Sequence, residues 1–296
     1  MAEQPINRPS VLAAQNLPLE PFEVLFDGAS GDLIPLPPRL AEVVGPIRLA
    51  ARGAQPYVVA NFVATLDGVV AFNGGGKNGG AEISLGDAHD RLLMAVLRAV
   101  AEVIVIGNGT LRGSPRHKWL PESVAPEFAS EFRELREALG LPARPLVAVV
   151  SASGQVDLDL PLFADVSIPS MIITSDSGAA VLNQGPPDKR VEIVALGNQA
   201  GLDGRHIIDA ITQQRPGAVV LTEGGPRLLA ALFADRAIDE LFLTIAPQVA
   251  GRDQSVFRPA LVEGRVFAPA APLWSRILGI RRSQDFLYLR YGFDRS

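Results

Sequence analysis

The stretch Ala218 to Phe233, AVVLTEGGPRLLAALF, leaves the rest of the chain few choices. Ala218 to Leu221 is rich in β-branched residues and carries no charge, the signature of a strand buried on both faces. Thr222, Glu223, Gly224 and Gly225 follow. Pro226 then falls in a first helical turn, where its missing N–H is of no consequence. Leu228, Leu229, Leu232 and Phe233 line one apolar helical face. Two glycines between a buried strand and a helix let the backbone come close to a ligand. The helix start aims free N–H groups and a partial positive charge at it, and a phosphate suits such a place. A tight strand–helix connection without a ligand fits this stretch equally well. Glu223 stands at the mouth of the strand, where a carboxylate would touch the non-phosphate end of a ligand.

The same rhythm recurs along the chain. Val103 to Ile106 is a second buried strand, and it ends in Gly107-Asn108-Gly109-Thr110. The spacing is not the dinucleotide fingerprint G-x-G-x-x-G, because the next glycine is Gly113. The backbone amides and the Thr110 hydroxyl would still suit a phosphate. Arg112, Arg116, His117 and Lys118 follow, either as an anion-binding cluster or as an ordinary solvated loop. Pro145 to Val150 ends in Ser151-Ala152-Ser153-Gly154, Met171 to Thr174 ends in Ser175-Asp176-Ser177-Gly178, and Val191 to Leu196 is a further strand. Asp203-Gly204 precedes a helix from His206 to Gln214. Strand, polar turn and helix repeated in this way predict an α/β fold with a mostly parallel sheet. Its ligands belong along the carboxyl ends of the strands.

Other segments read less regularly. Residues 1–55 carry eight prolines, enough to prevent long helices and ladder pairing. Val24, Leu25, Phe26 and Val44 are nevertheless too apolar for a solvated tail. The reading is a Pro-rich extension that packs on a main body, residues 56–296, with a short helix at Pro38 to Val44. Residues 57–72 predict two strands joined at Leu66-Asp67-Gly68, since Asp-Gly is a strong turn signal. Asp67 is then either a turn aspartate or a site residue. Residues 73–82, NGGGKNGGAE, fail the spacing of a P-loop and read as a rim over a site or a simple connection. Ser84 and Asp87 have capping-box spacing ahead of a helix whose late Arg98 either complements the helix end or binds an anion. Residues 122–139 read as a surface helix. Ile238 to Ile245 is a strand. Residues 273–292 alternate as an antiparallel hairpin at a sheet edge, with Arg276, Arg281, Arg282 and Arg290 on a face that is partly wet or forms a subunit contact.

Composition excludes several classes. A net charge of −5 speaks against a general nucleic-acid binder. The absence of cysteine excludes disulfides and thiolate chemistry, and three scattered histidines offer no metal site. The first residues lack a signal peptide, and no apolar run reaches the roughly 18 residues of a membrane helix, so a cytoplasmic protein is expected.

Five stretches together, ATLDG at 64–68, LRA at 97–99, VIGNGT at 105–110, TEGGPRLL at 222–229 and DELFLTIAPQVAG at 239–251, resemble the C-terminal reductase domain of the bifunctional riboflavin-biosynthesis deaminase–reductase. The resemblance covers about residues 56–292. It implies a dihydrofolate-reductase-like three-layer fold with a mostly parallel central sheet and an antiparallel C-terminal hairpin. It implies an NADPH-dependent reductase of a small molecule, a pyrimidine ribosylamine phosphate, in the manner of 5-amino-6-(5-phosphoribosylamino)uracil reductase, and a homodimer. Ala64 and Thr110 match positions lining the NADPH site, joined by Gly107 and Gly109. Gly224, Gly225, Pro226, Arg227 and Leu228 match the pyrophosphate-binding helix start. Glu223 matches a substrate-binding carboxylate, and Arg98 a substrate-contacting arginine. Ser151 or Ser153 matches the adenosine 2′-phosphate region. Asp67 and Glu223 are the catalytic candidates to protonate or stabilise the developing amine. Arg112-Gly113-Ser114-Pro115 stands where the family commonly has Asp-Asp-Pro, and the zinc deaminase half, which needs cysteines, has no counterpart here. Reduction of a pterin or dihydrofolate-like substrate, or non-catalytic nucleotide binding, are the alternatives.

Overall fold

The computed structural model describes residues 19–50, 53, 55–72, 80–184, 191–197, 202–253 and 255–295. In chain order the elements are β1 (Glu23–Asp27), β2 (Asp32–Leu33), α1 (Pro38–Val44), β3 (Arg48–Leu49), β4 (Tyr57–Thr65), α2 (Ala88–Val100), β5 (Val103–Gly107), α3 (Asn108–Gly113), α4 (Ala129–Ala138), β6 (Leu146–Val150), α5 (Pro161–Ala164), β7 (Ser170–Thr174), α6 (Asp176–Leu182), β8 (Val191–Ala195), α7 (Gly204–Gln214), β9 (Val219–Thr222), α8 (Pro226–Ala234), β10 (Glu240–Ala246), β11 (Ser275–Ser283) and β12 (Phe286–Phe293). One sheet holds ten strands in the order β1-β11-β12-β10-β4-β9-β5-β6-β7-β8. From β10 to β8 the pairings are parallel, while β12, β11 and β1 run antiparallel to their neighbours.

The apolar runs are continuous because the parallel strands are covered twice. Val59, Ile104, Ile106, Val147 and Val149 pack on one side with Leu92, Leu97, Phe132 and Leu135 of α2 and α4. Their sequence neighbours Val58, Ala60, Val103, Val105 and Ala148 pack on the other with Ile207, Ile211, Leu229 and Leu232 of α7 and α8. Each such buried Leu or Ile contributes about 1.5–3 kcal/mol. This is the three-layer α/β architecture expected from the resemblance.

Connectivity places the ligand edge. The chain moves outward from β4 through β5 to β8, then returns through α7 to lay β9 between β4 and β5. Leu111 of α3, which follows β5, joins the first core layer; α8, which follows β9, joins the second. Neighbouring strands therefore send their helices to opposite faces. That opens a crevice at their carboxyl ends, the place where open α/β sheets bind ligands.

Several local expectations are corrected. Only one strand forms in 57–72: after Thr65 the chain turns, Val69 returns a hydrogen bond to Thr65, and Val70 N–H donates to Pro259 O at 3.0 Å instead of pairing. Ser84 does not cap a helix. Asp87 caps α2, accepting from Asp90 N–H at 2.8 Å. The surface helix is shorter than 122–139, since Pro121 and Pro126 each open only a 3-10 turn before α4. The C-terminal hairpin is not the sheet edge. Despite Pro21 and Pro35 on either side, Glu23–Asp27 pairs with β11 and becomes the outer strand. Of the four hairpin arginines expected on a face partly wet or in a subunit contact, Arg276 and Arg282 are exposed, while residues 46–48 cover Arg281 and Arg290. Arg281 donates to Pro46 O at 2.6 Å and Arg290 to Arg48 O at 2.5 Å, while a buried ion pair links Arg290 to Glu240 at 2.6 Å. Leu40, Val44 and Ile47 of this segment join the first core layer. Residues 1–18 and the glycine-rich run 73–79 lie outside the described residues.

Candidate active site

β9 ends at Thr222, but its neighbour β4 runs on past Ala60 to Thr65 against β10, through Ala64↔Ile245 and Thr65↔Ala246. The sheet therefore has a notch above Thr222. Glu223 N–H still bonds Val105 O at 3.0 Å, and Gly224 N–H reaches Thr222 Oγ1 at 3.3 Å, which turns the chain into α8. On the other side of the notch Gly107 leads into α3. The two turns nearly touch. A Cβ on Gly107 would lie 3.9 Å from Gly225 N, and a Cβ on Gly225 would lie 3.4 Å from Thr110 Oγ1. Gly107 and Gly225 are the N-caps of α3 and α8, and neither helix has a side-chain cap on its first amides. Pro226, Arg227 and Leu228 form the first turn of α8, with Arg227 exposed and Leu228 buried. Gly109 lies in the first turn of α3 and Ala64 is buried at the end of β4.

The adenosine-side candidates separate. Ser151 is buried and its Oγ accepts from Asn108 Nδ2 at 3.3 Å, while exposed Ser153 accepts only from Gln155 N–H at 3.3 Å. Their loop is locked in place by glycine. Gly154 has φ +66°, and a Cβ on Gly178 would lie 2.1 Å from Thr174 Oγ1 and 2.7 Å from Ala152 O. Asn108 Nδ2 also donates to Gln155 O at 2.8 Å, but its Oδ1 is buried with no hydrogen-bond partner.

Arg98 and Glu223, 125 residues apart, meet beside this notch. Nε donates to Glu223 Oε1 at 2.8 Å and Nη2 to Oε2 at 2.5 Å. Nη1 donates to His117 Nε2 at 2.7 Å and Leu120 O at 3.3 Å, and Nη2 also reaches Met94 Sδ at 3.4 Å. All five guanidinium N–H groups are thereby engaged, and Arg98 is 2% exposed. Arg98 holds Glu223 in place with two of these donors. Burial, reinforced by the Arg98 cation, pushes the His117 imidazole down to about 3, so it stays neutral and accepts. His117 also packs edge-on against buried Trp119, with ring centroids 5.0 Å apart. His117 was legible only as part of a basic cluster.

Asp67 is equally occupied. Its Oδ1 accepts from Thr65 Oγ1 at 2.6 Å and Ala250 N–H at 3.0 Å, and its Oδ2 from Gly251 N–H at 2.8 Å. The Thr65 bond first, then the backbone bonds, holds its carboxyl down at about 2. Arg252 adds bonds to Asp67 O and Gly68 O at 2.9 and 3.0 Å. Asp67 thus ties the loop after β4 to the loop after β10, the turn role left open by the sequence, and is poorly suited to give up a proton.

Asp90 went unnoticed in the sequence because an acid in a first helical turn ordinarily just complements the dipole. Here burial lifts its carboxyl to about 6, against the opposing hydrogen bonds of Thr244 and Ser84, with Asp87 and Glu223 adding to the rise.

The sequence matches the family model described as RibD C-terminal domain over residues 56–267. Among curated proteins no sequence matches. A pyrimidine reductase-like protein from Corynebacterium diphtheriae is similar in structure, with a TM-score of 0.63 at 21% identity over 82% of this chain and 94% of that one. RibD from Acinetobacter baumannii gives a TM-score of 0.56 at 17% identity over 81% of this chain and 59% of that one. The riboflavin biosynthesis reductase Rib7 of Saccharomyces cerevisiae gives 0.56 at 12% identity, covering 83% and 93%. At these identities the likeness is one of fold.

Proposed function

The chain belongs to the RibD C-terminal domain family, and on that premise we propose that it is a nicotinamide-dependent reductase of a pyrimidine ribosylamine phosphate, with NADPH as the cofactor. The observation that carries this reading is the pair of glycine turns facing each other across the notch, with the Gly225 Cβ position 3.4 Å from Thr110 Oγ1. Both turns open helices without side-chain caps, so their first amides face one shared space, an arrangement that suits a diphosphate. The orphaned Asn108 Oδ1 next to it is an acceptor awaiting a ligand hydroxyl or amine.

In this reading the helix start from Gly224 to Leu228, chiefly through the Gly225 and Arg227 amides, holds the pyrophosphate together with Gly107, Gly109 and Thr110; the Gly224 and Leu228 N–H groups already bond within the turn. Ala64 lines the notch, and exposed Ser153 is the serine free to meet the adenosine end. When bound, the cofactor supplies a hydride to an electrophilic carbon. Arg98 fixes Glu223 at the crevice mouth, and Asp67 holds together the two loops that rim it. Substrate orientation thus depends on residues that are already rigid before binding. A homodimer belongs to the same proposal, with exposed Ile277 and Leu287 on the hairpin as its apolar contact and sedimentation velocity as its test.

Oxidation of NADPH, followed by absorbance with the pyrimidine ribosylamine phosphate and separately with a dihydropterin, tests the substrate class. Gly225→Asp puts a carboxylate in the cradle and should abolish NADPH binding in calorimetry while leaving the fold intact. Unchanged affinity removes the cradle assignment.

A further inference from the structure

We propose that Asn108 binds the adenosine half of the cofactor, its side-chain carbonyl accepting a hydrogen bond from the 3′-hydroxyl of the ribose; the assignment rests on the reductase reading above. Among the described residues, five buried side-chain atoms lack a hydrogen-bond partner. Four are arginine nitrogens, and Asn108 Oδ1 is the single acceptor. Asn108 is 9% exposed and its Oδ1 is shut off from solvent, so bulk water does not satisfy it. An acceptor left unpaired in this way works against folding and calls for a partner that arrives later. Its place in the chain ties it to the cradle. Asn108 lies between Gly107, whose Cβ position is 3.9 Å from Gly225 N, and Thr110, whose Oγ1 is 3.4 Å from the Gly225 Cβ position. The start of α8 thus faces the same short stretch that carries Asn108.

The other end of the amide gives the direction. Nδ2 donates to Ser151 Oγ at 3.3 Å and to Gln155 O at 2.8 Å, so the side chain leans toward the loop after β6 and away from β4. A dinucleotide with its diphosphate at Gly225 and its nicotinamide toward Ala64 of β4 has its adenosine ribose on that β6 side. The same bonds settle which amide atom is which. Flipped, Asn108 would set Oδ1 against the Gln155 carbonyl, acceptor against acceptor. The anchors are themselves held: Ser151 O accepts from Thr174 Oγ1 at 2.6 Å, and Ser151 N–H donates to Ile173 O at 3.0 Å. A carbonyl oxygen only accepts, so its partner is a hydroxyl or an amine and not a phosphate. Within one sugar of the diphosphate the cofactor offers hydroxyls, and the adenine amino group lies farther out. In NADPH the 2′ oxygen of that ribose carries the phosphate, which leaves the 3′-hydroxyl. A shallow turn of the amide about its Cβ–Cγ bond brings Oδ1 to that hydroxyl while Nδ2 keeps Gln155 O.

The test is a double-mutant cycle in which one partner is the cofactor. Calorimetry measures the affinity of wild type and of Asn108→Leu for NADPH and for its analogue lacking the adenosine 3′-hydroxyl. Wild type should bind the analogue roughly 3–10-fold more weakly, the range of one neutral hydrogen bond. Asn108→Leu should bind the two equally. If melting curves show that Asn108→Leu does not fold, Asn108→Ala takes its place, and the wild-type ratio is decisive without either. Equal affinity of wild type for the two cofactors overturns the assignment. So does an Asn108→Leu protein that loses affinity for both yet keeps the wild-type ratio, the outcome for an asparagine that only braces its loop. Either result leaves the cradle reading intact. Wild type that does not bind NADPH at all overturns the cofactor reading and this assignment with it.

Discussion

Replacing Glu223 with leucine strands a cation. Arg98 is 2% exposed and directs two of its donors at that carboxylate. A guanidinium cannot shed its charge to escape the apolar surroundings. Breaking one side of such a buried pair costs about 3–5 kcal/mol, which for a chain of this size lowers the melting temperature by roughly 6–20 °C. Arg98→Met strands the carboxylate instead. A carboxylate can take up a proton, so this deficit should narrow as pH falls, whereas that of Glu223→Leu should not. The double variant removes both charges and keeps similar volumes, and it should return to within about 1 kcal/mol of the parent. Urea unfolding followed by tryptophan emission reads all four proteins. Trp119 is 2% exposed and sits against His117, so it reports on this network, while Trp274, 84% exposed, gives a nearly constant background. A loss below about 1 kcal/mol for Glu223→Leu, the size of a surface pair, refutes the reasoning. So does a double variant no more stable than its worse parent.

Three further outcomes are expected. The depressed Asp67 carboxyl stabilises its loops fully above pH 4 and loses that contribution as pH falls through about 2; melting curves of wild type should drop across this window and those of Asp67→Asn should lack that component. Gly178→Ala would set a Cβ 2.1 Å from Thr174 Oγ1, and calorimetry should register a loss of about 1–3 kcal/mol or more. Phe22 packs edge-on against His89 and Tyr288 at 5.0 and 4.7 Å; Phe22→Ala should remove about 3–5 kcal/mol in denaturant titration, and a loss under 1 kcal/mol would mean the segment is merely draped over the sheet.

What could be read from sequence was what local pattern encodes. The strand–turn–helix units, the hairpin and the facing glycine turns follow from periodicity, Gly-Gly and Pro226 within a few residues of each other. What escaped depends on partners far away in the chain. The strand expected after Gly68 is missing because Val70 finds Pro259, not a hairpin mate. Prolines around Glu23–Asp27 suggested no pairing, yet a five-residue strand fits between them and meets β11 some 250 residues later. The raised carboxyl of Asp90 comes first from burial, with Asp87 and Glu223 adding to it against Thr244 and Ser84, and both Glu223 and Thr244 belong to distant parts of the chain.

The pairing of β1 with β11 also sets a schedule for biosynthesis. Residues 23–27 leave the ribosome long before 275–283, so Val24, Leu25 and Phe26 wait without their mate while nearly the whole polypeptide is made. Closure of that flank is a late, long-range event of the kind that slows folding and exposes sticky segments to aggregation. A nascent chain stalled before the hairpin would present the unpaired backbone edge of these residues to whatever chaperone stands nearby.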